Sequence, residues 1–139
     1  MIGYKNGQEA TFYIPKDQNP NNRIVNDYKL DRQIRKHHTQ NLGLGFMWGK
    51  TPFVVIDESG FYKLSNCEGA VVLLRDSPKV HLVDLIKTLA PTVIIADGSN
   101  YPSFVRMWQK TCADTGVSFH DTASEGTWVS NHSKRGTFN

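Results

Sequence analysis

A chain of 139 residues with 39% hydrophobic and 21% charged residues has the composition of one globular domain, which excludes wholesale disorder and leaves little room for two cores. The formal net charge of +3 and a pI near 8.9 permit an anionic partner but fall short of the dense Lys/Arg field of a dedicated DNA-binding domain. The longest apolar runs, 71–74 and 93–95, are far below the roughly 20 residues of a membrane-spanning helix, and no charged-then-apolar leader follows Met1. The chain is therefore expected to be soluble as given, either cytoplasmic or a piece of something larger.

In chain order, residues 1–9 read as a loose start and 10–14 (ATFYI) as a short strand. The Pro, Asn and Asp content of 16–22 marks a loop, and Asn21 or Asn22 can cap a helix over 23–37, with Ile24, Tyr28 and Ile34 on one face. Residues 42–49 (LGLGFMWG) form an irregular strand or bend. The segments 51–57 and 60–64 flank Asp57-Glu58-Ser59-Gly60 and are expected to pair as an antiparallel hairpin.

The second half is more regular. Residues 70–75 (AVVLLR) have the continuous apolar run of a strand buried on both faces. Leu82, Leu85, Ile86 and Leu89 recur at helical spacing within 81–89, and Pro91 ends that helix. A second buried strand follows at 92–97. The next helix runs from Asn100 or Tyr101 to Asp114, with Tyr101, Phe104, Val105, Trp108 and Cys112 inward and Gly116 as its left-handed cap. Strands at 117–121 and 126–130 close the fold, and the tail from 131 is expected to be loosely ordered. This order gives one α/β domain with a core over 51–130. Its central sheet is mixed and mainly parallel, with two short crossover helices on one face. The opposite face needs cover from the 23–37 helix or from another protein surface.

Candidate chemistry gathers at strand ends. Asp97-Gly98-Ser99-Asn100 follows a buried strand and opens a helix, where anions and small molecules bind in open α/β sheets. A tight turn capped by Ser99 or Asn100 accounts for the same residues, and the glycine pattern of a nucleotide loop is missing. Arg75 and Asp76 end the preceding strand. Arg75 and Asp97 can pair with each other there, or either can face a ligand. Lys29, Arg32, Arg35 and Lys36, with Trp48 nearby for stacking, are the candidates for nucleic-acid contact; a solvated helix face explains the same charges. His37-His38 is an adjacent pair poorly placed to chelate one metal. No H-x-H, H-E-x-x-H, C-x-x-C or G-x-S-x-G occurs, Cys67 and Cys112 read as neither disulfide nor metal ligands, and no cofactor, metal or catalytic residue is expected.

The run 71–129 is similar to the extreme C-terminus of Bacteroidetes-type ComEC competence proteins. The anchors are LLRDSPK, IIADGSNY, the Trp108 helix and F-H-x-T-x-x-x-G from Phe119 to Gly126, with FVVIDESGFYKL resembling the hairpin upstream. The resemblance covers about three-fifths of the chain. It implies an accessory domain of a protein that passes single-stranded DNA across the inner membrane through a separate membrane channel domain. Many such C-terminal domains have a metallo-β-lactamase-like fold, and the layout of 70–130 resembles the final part of that fold. Active members carry histidines after the first and second of these strands and an H-x-H-x-D-H motif earlier. This sequence has Arg75-Asp76-Ser77 and Gly98-Ser99-Asn100-Tyr101-Pro102 instead, and no such motif. Two-metal hydrolysis needs those ligands, so the resemblance implies a degenerate, metal-free relative.

Two functions follow as expectations. The first is a non-catalytic part of a DNA-uptake protein, active in assembly or in weak contact with single-stranded DNA; its expected partners are the parent's channel domain, that strand, and a second copy through an uncovered sheet face. The second is a small phosphate- or nucleotide-binding enzyme using Arg75, Asp97 and Ser99.

Overall fold

Strands made only of apolar residues belong at the centre of a sheet, where both of their faces are covered. The computed structural model describes residues 2–6, 9–14, 35–41, 45–48, 50–60 and 66–129 and places the apolar runs in that position. The chain divides into two compact units, one of which is Leu44–Trp128. Of the span 51–130 expected to hold the core, positions 51–128 lie within its bounds.

Among the described residues its sheet has five strands: β4 (Gly45–Trp48), β5 (Thr51–Ile56), β6 (Val71–Leu74), β7 (Val93–Ala96) and β8 (Ser118–Asp121), in that order across the sheet. Only the β4–β5 pair is antiparallel; β5, β6, β7 and β8 run parallel. The fold class is the expected mixed, mainly parallel α/β arrangement. β5 nevertheless takes its antiparallel partner from the segment before it, with Phe46 stacked on Phe53 at 5.0 Å between ring centroids. The expected partner at 61–64 lies outside the described residues. Gly45 is required at this pairing, because a Cβ there would stand 2.3 Å from the Phe53 carbonyl oxygen. Pro52 precedes the start of the β6 ladder at Phe53, so its missing N–H removes no bond from that ladder.

Helices α1 (Leu82–Leu89) and α2 (Pro102–Thr115) connect β6 to β7 and β7 to β8. Both pack on the sheet face formed by Val54, Ile56, Val72, Leu74, Ile94 and Ala96, to which they contribute Leu82, Leu85, Leu89, Val105, Trp108 and Cys112. Burial pushes the Cys112 thiol up to about 11, as expected of a thiol acting as a small apolar filler. Gly116 caps α2 in the left-handed region at φ 74°. Tyr101 departs from the expected inner stripe: it is the N-cap, in extended geometry at ψ 136°, and its side chain is 67% exposed. A residue outside the helical turn does not continue the helical period.

The other face of the sheet is also buried. Phe53, Val55, Val71, Leu73 and Ile95 are each 8% exposed or less within this single chain. After β8 the chain enters a helical turn, α3 (Thr122–Glu125), because the Asp121 carboxylate accepts from the Ala123 amide at 3.0 Å and the Ser124 hydroxyl at 2.8 Å. Gly126 then turns at φ 81°, and residues 126–129 do not form the expected closing strand.

The other unit contains a three-stranded sheet in the order β1 (Ile2–Asn6), β2 (Glu9–Ile14), β3 (Lys36–Asn41). The expected strand at 10–14 lies within β2. β1, where a loose start was expected, pairs antiparallel with it, and the register Asn6↔Glu9 leaves a two-residue connection. The expected helix at 23–37 lies outside the described residues up to 34. Its last two positions, Lys36 and His37, belong instead to β3, which pairs parallel to β2. After Ile34 no apolar residue occurs before Leu42, so no stripe marks where a helix would end.

Candidate functional site

Parallel strands deliver the residues that follow them to one edge of a sheet. The ladders align Ile56, Leu74, Ala96 and Asp121, which puts Asp57, Arg75 and Asp97 side by side just beyond. The alignment is tied by backbone bonds from Arg75 to Ile56 (2.9 Å) and from Asp97 to Leu74 (3.2 Å).

The turns after β5 and β7 repeat one local design. The Asp57 Oδ1 accepts from the Ser59 amide at 3.0 Å and from the Ser59 hydroxyl at 2.6 Å. The Asp97 Oδ1 accepts from the Ser99 amide at 3.0 Å and likewise from the Ser99 hydroxyl. A short carboxylate that gathers donors two residues on makes such a turn without help from elsewhere. The Ser59 hydroxyl is the main cause that holds the Asp57 carboxyl below its usual range, against the opposing effect of burial and with help from the Ser59 amide and the Arg75 charge.

The second turn also reaches across to the loop after β6. The Ser99 hydroxyl oxygen accepts from the Asp76 amide at 2.8 Å, and Asn100 Oδ1 accepts from the Ser77 amide at 2.8 Å. Asn100 Nδ2 donates to the carbonyls of Leu74 (2.8 Å) and Asp97 (3.0 Å). Ser77 answers by accepting from the Tyr101 amide at 2.8 Å. Asn100 is only 9% exposed, and both ends of its amide are satisfied, as a buried polar group requires. This clamp holds Asp76 and Ser77, two consecutive non-glycine residues, in the left-handed region at φ 59° and 52°. Each such residue costs on the order of 1–3 kcal/mol and persists only when its surroundings fix it.

The expected site residues Arg75, Asp76, Asp97, Ser99 and Asn100 are therefore brought together, and the side-chain polar atoms of Ser99 and Asn100 are engaged within the clamp. The amides of Asp76, Ser77 and Tyr101, which an anion at this edge would need, already donate to side chains of the clamp. The expected Arg75–Asp97 pair gives way to another. Arg75 Nε stands 3.4 Å from Asp76 Oδ2, with the guanidinium side chain 12% exposed. That contact is an ion pair without a hydrogen bond, since Nε is buried and donates to no acceptor. Asp97 turns to Ser99 and Asn100. No three His, Cys, Asp or Glu side chains converge as metal ligands among the described residues.

The nucleic-acid candidates are distributed differently. Arg35 is exposed at a bend before β3, Lys36 is the first residue of β3, and Trp48 is the last residue of β4 in the other unit. Lys29 and Arg32 lie outside the described residues. Asp57-Glu58-Ser59-Gly60 was read as a turn but not as part of this edge, and Ser77 was not singled out, although the recurrence of Asp-x-Ser at 57–59 and 97–99 was there to find. His120 was passed over as a strand residue; its Nε2 lies 2.8 Å from the Gly126 carbonyl and its Nδ1 3.3 Å from the Glu125 carboxylate, which ties α3 back to β8.

No described helix is long and apolar enough to cross a membrane. No curated protein and no solved structure matches the chain. A family model described as the ComEC C-terminal domain matches residues 1–132, and so takes in the first unit that the motifs at 71–129 did not reach. With nearly its whole length inside that match, the chain belongs to the ComEC C-terminal domain family, which links it to competence, DNA uptake and a membrane-associated parent protein.

Proposed function

We propose that the chain is a non-catalytic module of a ComEC-type DNA-uptake protein at the inner membrane, serving assembly with the parent's channel domain and weak contact with single-stranded DNA. The observation that carries this reading is the clamp between the turns after β6 and β7. At the edge where a metal-dependent hydrolase of the metallo-β-lactamase type would present histidines and carboxylates to two ions, this chain has Ser99 and Asn100 bonded to the backbone of Leu74, Asp76 and Ser77. Those bonds support a degenerate relative whose former site now fastens two loops.

The test is direct. The purified protein is incubated with single-stranded DNA in the presence of zinc, manganese or magnesium, and its bound metal is measured. No degradation and no stoichiometric metal are expected; metal-dependent degradation that disappears in Asp97→Ala overturns the proposal. Strand contact is assigned to the basic residues Lys29, Arg32, Arg35 and Lys36. It should weaken steeply as salt rises, because phosphate contacts release counterions.

A further inference from the structure

We draw no further inference here: the strongest candidate, the row of carboxylates Asp57, Asp76, Asp97 and Asp121 beside Arg75 at the carboxyl edge of the five-stranded sheet, is an acidic cluster bonded largely to its own serine, asparagine, arginine and backbone neighbours, and nothing among the described residues shows what would bind it.

Discussion

The turns after β5 and β7 begin with the same chemistry and end with different roles. In both, an aspartate at the strand end gathers the amide and hydroxyl of the serine two residues on. The Ser59 hydroxyl donates to Asp57 within its own turn. The Ser99 hydroxyl also accepts from Asp76, and its neighbour Asn100 fastens Leu74 and Ser77. The two differ in what the residue after serine can do. Gly60 has no side chain and takes φ 67°, whereas Asn100 has an amide that reaches a loop 23 residues earlier. A local motif makes the turn; one extra polar side chain, facing a neighbouring strand end, turns it into a tertiary clamp.

The sharpest way to break this comparison is Asn100→Ala. The change leaves a buried carbonyl and amide without their partners and withdraws support from two left-handed residues. A loss of about 2–4 kcal/mol is expected in urea unfolding, from the cost of orphaned buried groups and released strain. A loss below about 1 kcal/mol would show that the clamp is dispensable. Ser99→Ala and Ser59→Ala then set the two turns against each other. Ser99→Ala should cost about 1–2 kcal/mol and Ser59→Ala about 0.5–1 kcal/mol, because only the first also strips the Asp76 amide of its acceptor. Equal losses would remove the distinction.

Ala90 supplies the unclamped control. It caps α1 at φ 41° with a backbone bond to Ile86 and no side chain that could hold it there. Ala90→Gly should raise stability by about 0.5–1 kcal/mol, since glycine enters this region without the Cβ clash. No gain in melting temperature would mean that the left-handed region carries little strain in this protein.

The smallest effect is in pH. The folded Asp57 carboxyl is lowered, chiefly by the Ser59 hydroxyl. Its contribution is present above the unfolded carboxylate range near about 3.9 and fades as pH falls through the lower folded value. The stability difference between Ser59→Ala and the parent should therefore be full at neutral pH and shrink in acid. A difference that grows on acidification contradicts the assignment.

Much of the second unit was legible because its signals are local. The apolar runs at 71–74 and 93–96 can satisfy themselves only between other strands, and the spacing of Leu82, Leu85 and Leu89 suits one helix face and no strand. The Asp97–Asn100 segment was legible as a turn for the same reason, and so was its place beside the strand end at Arg75 and Asp76; which polar atoms bond across was not, since that depends on side-chain geometry no local window contains. The first unit was harder to read. Lys36-His37-His38 has neither a strand's alternation nor a helix's stripe, and its strand character comes from the ladder to β2. The hairpin of β1 was within reach, because the sequence places a glycine at the first position of the two-residue connection after Asn6. The closing strand at 126–130 failed because Asp121 caps a helical turn as soon as β8 ends.

The sequence by itself determined which segments could be buried and where glycine and proline would stop them. Those properties depend on each residue's own hydrophobicity, backbone freedom and chemistry. Only the tertiary structure decided that β5 pairs with the strand before it and that Asn100 joins two strand ends. Each of those depends on parallel strands far apart in sequence arriving in register, and the free energy of that arrangement resides in contacts no local window contains.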